Sequence, residues 1–226
     1  MNVEIRRGSS RFAERVPGRL TQHAFSFGPH LDPERLSFGP MVCHDDHLLG
    51  RGQGFEEHPH AGLEIVSWVL AGTLVHRDAT GTEVTLGPGE GAVLSAGSGV
   101  RHSETASDAA TRFVQVWLTP DEPDGEPSYR SAAVGPGTGL VRVVGNGGPL
   151  AVGVAGAALD VARLEAGESV VLPAAARVHA YVASGALLRS SLAEPLAAGD
   201  AFWLTGGTSY EVTAAVPTEL LVWSFA

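Results

Sequence analysis

Four residues stand in two short motifs whose residue types and spacing are suited to binding a metal ion. His58-Pro59-His60 and His102-Ser103-Glu104 each separate two ligand-type side chains by one residue. On a β-strand this spacing places both side chains on the same face. Two such strands side by side would gather three imidazoles and one carboxylate into a compact ligand set. We therefore predict a metal site formed by His58, His60, His102 and Glu104.

The donor types narrow the metal to a class of divalent ions. Imidazole nitrogen and carboxylate oxygen suit Fe(II), Mn(II), Co(II), Ni(II), Cu(II) or Zn(II), and geometry and supply decide among them. Four protein ligands leave one or two open positions on a five- or six-coordinate ion, which is typical of catalytic rather than structural sites. The alternative is a polar cluster that arises by coincidence.

The elements that would position these residues are predicted to be short strands. Apolar runs end repeatedly at glycine or glycine-proline turns, for example Leu63–Leu70, Val84–Leu86 and Phe113–Leu118. Short strands at regular spacing with glycine turns indicate an all-β barrel or sandwich.

The strand pattern occurs twice along the chain. The segment WVLAGTL (Trp68–Leu74) reappears as YVASGAL (Tyr181–Leu187), and Val84–Leu94 has a counterpart in Glu194–Leu204. An internal duplication of one small β-barrel accounts for this repeat. We predict two tandem barrels, over residues 1–134 and 135–226, with an acidic linker rich in proline and glycine starting near residue 120.

The second barrel is predicted to bind no metal. The repeat carries the four ligand positions onto residues that cannot coordinate a metal through their side chains: Val171, Pro173, Val212 and Ala214. His179 is the only histidine in this half, and it is expected to be structural or at the surface.

Composition excludes several classes of function. The 15 basic residues, all arginine, face 25 acidic ones, giving a net charge of −10 that disfavours direct binding of nucleic acid or an anionic membrane surface. The single cysteine, Cys43, cannot form an intrachain disulfide. No apolar signal segment stands at the amino terminus, so a cytoplasmic protein is expected, and nothing in the sequence requires more than a monomer.

Several segments resemble the pirin family of the cupin superfamily. They occur in family order over residues 20–120: HAFSFG, DPERLSFG, GRGQGFEEHPH, LEIVSWVLAGTLVHRD and LSAGSGVRHSE. The resemblance implies two cupin barrels and one mononuclear metal, usually iron, held by the residues that match His58, His60, His102 and Glu104.

The resemblance also implies two kinds of function. The first is a quercetin 2,3-dioxygenase type of reaction, in which O2 and a flavonol or similar phenolic or enediol compound are the substrates. In that reaction Glu104 would accept the hydroxyl proton of the substrate, although a purely coordinating role is equally open. The alternative is a non-enzymatic, redox-sensing regulator whose metal state controls binding to a transcription or metabolic protein.

Three further residues are candidates for the substrate pocket or for contacts behind the metal ligands. Phe55 could pack beside the metal or belong to the core. Glu64 could accept a hydrogen bond from an imidazole N–H or lie at the pocket rim. Gln115 could line the pocket or form a lateral structural hydrogen bond. Three other histidines, His44, His47 and His76, are expected to be solvated.

Overall fold

The computed structural model describes residues 2–108, 110–135 and 137–226. The chain forms two compact units. The amino-terminal unit consists of Arg11–Val134 with Val152–Val154. The carboxy-terminal unit consists of the chain up to Ser10, together with Gly135–Ala151 and Ala155–Ala226.

Strands dominate both units, which confirms the predicted all-β class. In chain order they are β1 (Asn2–Arg6), β2 (Phe12–Val16), β3 (Arg19–His23), β4 (Met41–Leu49), β5 (Gly54–His60), β6 (Glu64–Ala71), β7 (Leu74–Asp78), β8 (Glu83–Leu86), β9 (Glu90–Ser95), β10 (Val100–Ala106), β11 (Thr111–Leu118), β12 (Ser128–Ala133), β13 (Leu140–Val144), β14 (Ala158–Leu164), β15 (Ser169–Leu172), β16 (Arg177–Ser184), β17 (Ala186–Leu187), β18 (Leu196–Ala197), β19 (Ala201–Thr205), β20 (Tyr210–Thr213) and β21 (Thr218–Phe225). The one described helix is a 3-10 turn at Gly8–Ser10, so no described helix could cross a membrane.

Two antiparallel sheets build the amino-terminal unit. The larger has the order β12-β9-β6-β11-β4-β3-β2, and the smaller has the order β5-β10-β7-β8. The central strand β6 is buried from Glu64 through Val69, with apolar side chains on both of its faces, as in a strand covered on both sides. This unit therefore has a large sheet with a buried centre and a small sheet that carries both predicted ligand strands.

The carboxy-terminal unit has one main sheet with the order β1-β19-β16-β21-β14-β13, and two two-stranded sheets, β15-β20 and β17-β18. Its apolar core includes Phe202, Leu204 and Val222. His179 is fully buried on β16. Among the described residues, the groups of potential metal ligands all lie in the other unit.

The amino-terminal strand differs from the predicted domain division. We expected residues 1–134 to form one domain, but β1 pairs with β19 in the main sheet of the carboxy-terminal unit. Asn2 lies opposite Thr205 and Arg6 opposite Ala201. This pairing joins residues about two hundred positions apart, so local sequence patterns carry no sign of it.

The predicted linker contains a strand. From Ser128 to Ala133 the chain forms β12, which pairs with β9 at the edge of the larger sheet. The six residues that follow Pro127 include neither proline nor an acidic residue, unlike the segment before them. Tyr129 on this strand packs against two apolar clusters of the unit. Within the predicted linker, Pro136 lies outside the described residues.

The pairing of β10 positions the predicted ligands. His102 lies opposite His58 on β5, and Val100 lies opposite His60. The register shifts after His102, so Glu104 lies opposite Phe55 rather than opposite Glu56. On its other side β10 pairs with β7, where Glu104 lies opposite His76. Three steps along β5, from His58 to Phe55, match two steps along β10, so the extra residue lies on β5 and β10 itself pairs regularly with β7.

Gly54 allows β5 and β10 to approach closely. A Cβ atom at this position would overlap the carbonyl oxygen of Glu104. We expect Gly54→Ala to lower the free energy of unfolding by about 1–3 kcal/mol, because the backbones must separate. Urea denaturation of the metal-free protein measures this change. In the matched control Gly125→Ala, the new methyl meets no described atom within 4 Å, and a similar loss there would contradict the explanation.

Candidate metal centre

Three imidazoles converge where β5 and β10 pair. The ring centroids of His58 and His102 are 4.6 Å apart, those of His58 and His60 4.7 Å, and those of His60 and His102 5.0 Å. One ring nitrogen of each residue lies within 4.8 Å of one nitrogen of each of the others. This spacing allows a single ion to contact all three rings.

Each imidazole of this triad has an Nε2 atom that makes no hydrogen bond in the described structure. Nδ1 of His58 is 2.7 Å from the carbonyl oxygen of Glu56 and must carry the proton, so the lone pair is on Nε2. Nε2 of His60 and Nε2 of His102 are buried and have no hydrogen-bond partner within the described part of the chain. Buried polar atoms normally have partners, so these orphaned nitrogens fit a bound cation.

Burial also keeps two of the rings uncharged. Burial, reinforced by His58, lowers the pKa of His60 to about 4. Burial and the neighbouring histidines lower the pKa of His102 to about 3. Both rings are therefore neutral at pH 7, and neutral imidazole is the form that binds a metal.

Glu104 lies beside this triad and is held by other residues. The Gln115 side-chain amide donates a hydrogen bond of 2.7 Å to its Oε2, and the Ser67 hydroxyl lies 3.4 Å from its Oε1. Burial raises the pKa of Glu104 to about 7, although both hydrogen bonds favour the carboxylate and oppose the rise. A carboxyl group of this kind exchanges a proton near neutral pH.

The predicted set of four ligands is not a single group in the structure. Glu104 forms a close group with His102 and His76, whereas His58 and His60 group with His102 alone. Glu104 lies opposite His76 on β7, and the hydrogen bond from Gln115 holds its carboxylate in that position. Coordination by Glu104 stays a prediction.

His76 was expected to be solvated, and this expectation was wrong. Its side chain is buried, and its ring stacks on Tyr129 with centroids 3.9 Å apart. Its Nε2 is 3.3 Å from an Asp78 carboxylate oxygen, and its Nδ1 is 3.5 Å from Nδ1 of His102. The covering residue Tyr129 comes from the segment predicted to be linker. The alternation of Leu74, His76 and Asp78 on one strand face was the available signal.

A cavity of about 390 Å³ opens beside the triad, within the usual size range of ligand sites. Phe27, Phe55 and Trp117 supply aromatic walls, and Glu104 and His58 connect the cavity to the candidate metal site. The remaining lining residues are mostly polar or charged: Glu14, Arg19, Thr21, His23, Asp45, His47, Glu56, Glu57 and Gln115. An aromatic-walled cavity of this size fits a planar ligand.

Of the three further candidates, Phe55 and Gln115 line the cavity and Glu64 does not. Phe55 lines the cavity, 4.9 Å from the ring of His47. Gln115 lines it as well and also accepts a 2.9 Å hydrogen bond from the Trp117 indole, so pocket lining and lateral bonding both occur. Glu64 does not line this cavity. Its carboxylate accepts hydrogen bonds from the Ser95 hydroxyl and the Gly153 amide. These contacts give Glu64 a structural role.

The expectation of solvated side chains was also wrong for His44 and His47. Both are buried on β4, and His47 lines the cavity. Burial lowers the pKa of His47 to about 4, and its Nδ1 is 2.9 Å from the Thr21 hydroxyl. The adjacent acidic residues Asp45 and Asp46 suggested an exposed segment, but they are buried too.

Comparison with known proteins decides the family. The pirin family profile matches residues 6–118. A Mycobacterium tuberculosis protein named "Putative quercetin 2,3-dioxygenase" is 37% identical over 98% of this chain and 94% of its own length. The chain belongs to the pirin family. The quercetin 2,3-dioxygenase of Escherichia coli K12 is 38% identical to this pirin over 109 residues, which is 47% of each chain.

Solved structures confirm the tandem cupin fold of this pirin. The crystal structure of YhhW from Escherichia coli superposes with a TM-score of 0.92 at 27% identity, covering 100% of this chain and 98% of that one. A second structure of that pirin, in complex with nickel(II), gives a TM-score of 0.90 at 27% identity and covers 99% of both chains.

Gln115 is expected to control the protonation of Glu104. In Gln115→Leu the carboxylate loses its short hydrogen bond, so the pKa of Glu104 should rise by about one unit. Titration of the Glu104 carboxyl carbon between about pH 5.5 and 8.5, followed by 13C NMR of the metal-free protein, measures the midpoint directly. Ser95→Ala, which removes a donor from the remote Glu64, is the matched control, and equal midpoints in all three proteins would refute the role.

Proposed function

We propose that this pirin is a metal-dependent dioxygenase of the quercetin 2,3-dioxygenase type. His58, His60 and His102 hold one divalent ion, with Fe(II) as the preferred candidate, and Glu104 lies beside or on it. One observation carries the proposal. Three imidazoles lie within ligand distance of one another, and His58 of this triad lines one aromatic-walled cavity together with Glu104, a carboxyl group whose pKa is about 7.

The comparisons support the same reaction class. Relatives from two organisms carry the name quercetin 2,3-dioxygenase, in one case marked as putative in the name itself. The nickel(II) complex shows that a pirin with the same fold binds a transition metal. The ligand types of this chain are compatible with nickel as well as with iron.

The bound ion would supply Lewis acidity and electron transfer between an enolised substrate and O2. The protein's own residues would prepare the substrate. Glu104, as the carboxylate, would accept the proton of the 3-hydroxyl group; burial raises its pKa and the charge of the bound ion would lower it, so the carboxylate is the form present at neutral pH. Gln115 and Ser67 fix the direction of that carboxylate through their hydrogen bonds.

The cavity walls would orient the flavonol and limit water. Phe27 and Trp117 meet edge to face with centroids 5.8 Å apart, and Trp117 also contacts the ring of His60 at 4.9 Å. Aromatic faces bind a planar phenol by stacking and exclude water from the reacting atoms. Such exclusion protects a reactive anion from premature protonation.

Anaerobic reconstitution with Fe(II), followed by O2-uptake measurements with and without quercetin, tests the proposal. We expect uptake that requires both metal and flavonol, with one O2 consumed per flavonol. Protein stripped of metal and an equal concentration of free Fe(II) are the controls. Tight metal binding without flavonol-stimulated uptake would refute the enzyme and favour the regulator.

A further inference from the structure

A second buried polar pair lies in the same cavity, on the larger sheet. His23 on β3 and Asp45 on β4 are direct partners in the strand register. Nδ1 of His23 is 2.8 Å from Oδ2 of Asp45, and both side chains are buried. Both residues line the cavity that His58 and Glu104 reach from the smaller sheet. The two sheets therefore contribute different chemical groups to one ligand site.

The other nitrogen of His23 is available to a ligand. Nε2 is buried and has no hydrogen-bond partner among the described residues. Oε2 of Glu14 lies 3.6 Å from this nitrogen, at ion-pair rather than hydrogen-bond distance, while Oε1 of Glu14 pairs with Arg19 at 2.9 Å. Phe27 stacks on the ring with centroids 5.0 Å apart and keeps it in place. A fixed, desolvated nitrogen in a ligand cavity requires a partner.

The charges around His23 favour its protonated form. Burial lowers its pKa, but the hydrogen bond and attraction of Asp45, with a contribution from Glu14, outweigh burial and raise it above the usual value. The other titratable groups facing the ring are His47, whose pKa is lowered to about 4, and His30, whose ring centroid is 6.3 Å away. Among these imidazoles, His23 alone combines a hydrogen-bonded carboxylate with a buried nitrogen that makes no hydrogen bond to the described residues.

We propose that His23, oriented by Asp45, binds the substrate by donating a hydrogen bond from Nε2 to an oxygen remote from the metal-binding end. The inference rests on the proposed flavonol site and assigns its specificity. Glu104 and the triad would receive the 3-hydroxyl and 4-keto group. His23 would select flavonols that carry a further hydroxyl group on the part of the molecule facing the larger sheet.

Comparing the binding of two flavonols distinguishes a hydrogen bond from His23 to the substrate from a purely structural role of His23. Quercetin carries additional ring hydroxyls, whereas 3-hydroxyflavone carries only the 3-hydroxyl and the 4-keto oxygen. Binding is measured without O2 by absorbance titration of the metal-loaded protein, so that no turnover occurs. We expect His23→Gln to weaken quercetin binding about tenfold and to leave 3-hydroxyflavone binding within about twofold. Retained 3-hydroxyflavone binding also shows that the variant is folded.

The pH dependence gives a second readout. The affinity of the wild-type protein for quercetin is divided by that of His23→Gln at each pH. Ionisation of the quercetin hydroxyls affects both affinities alike and therefore cancels in this ratio. This ratio should fall as pH rises through the pKa of His23, because the neutral ring keeps its one N–H on Nδ1 toward Asp45 and has no proton on Nε2 to donate. The same ratio is measured in the Asp45→Asn background, with and without His23→Gln. The attraction of the Asp45 carboxylate is absent there, so the fall of the ratio should move to lower pH.

Three results would overturn the inference. If His23→Gln weakens the binding of both flavonols equally, or does not weaken quercetin binding, His23 does not select the remote hydroxyl. Either result would leave the proposed flavonol site itself standing. A wild-type protein that binds neither ligand would refute the proposed function and the inference together. A pH dependence of the ratio that is identical in Asp45→Asn would refute the orienting role of Asp45.

Discussion

The His102→Ala variant is expected to bind Fe(II) or Ni(II) at least about a hundredfold more weakly than the wild-type protein. His102 belongs to both close groups of potential ligands in this unit, the one with His58 and His60 and the one with His76 and Glu104. Its buried Nε2 has no other partner in the described structure. Removing it leaves two imidazoles on β5, which are too few for tight binding.

Calorimetric titration and metal analysis after dialysis measure this loss. His30→Ala is the matched control, since His30 stacks on Phe12 and belongs to neither ligand group. It should keep wild-type affinity. Retention of wild-type affinity in His102→Ala would refute a metal centre at the pairing of β5 and β10.

The second large effect is expected at Glu104. In Glu104→Gln we expect flavonol-dependent O2 uptake to fall by about two to four orders of magnitude, while metal affinity falls less than about tenfold. The amide keeps the size of the side chain and can still accept the hydrogen bond from Gln115. It cannot accept the proton of the substrate, so chemistry fails while three imidazoles still bind the metal.

The pH profile distinguishes the proton acceptor from a simple ligand. Wild-type uptake should rise with pH and level off below about 7, because the carboxylate is the active form and the bound cation lowers its pKa from the value of about 7 that burial produces. The residual uptake of Glu104→Gln should lack this rise. Loss of metal together with activity would make Glu104 chiefly a ligand, and undiminished uptake would contradict any role in the reaction.

Local spacing predicted the ligand strands because a strand fixes side-chain direction by itself. The alternation in HPH and HSE placed His58 with His60 and His102 with Glu104, and the structure pairs these two strands in register at His58 and His102. The repeat of the strand pattern predicted a second cupin unit in the same way. The first feature depends on neighbours two positions apart and the second on a repeated order of strands and turns, and the sequence shows both directly.

Features that depend on distant partners escaped prediction. The position of the Glu104 carboxylate depends on the pairing of β10 with β7, opposite His76, and on Gln115 of β11, neither of which alternation reveals. His76 is buried because Tyr129, from a segment of apparent linker composition, covers it. His23 acquires its function from Asp45 on the neighbouring strand. In each case, tertiary contacts set the environment of a titratable group.

The most direct test is an anomalous-difference map from crystals of the metal-loaded protein. The expected peak lies among the ring nitrogens of His58, His60 and His102, with the Glu104 carboxylate coordinating or adjacent. A peak bound instead by His76, His102 and Glu104, with His58 and His60 outside the coordination sphere, would contradict the proposed centre. A metal peak located only elsewhere in the protein would contradict it equally.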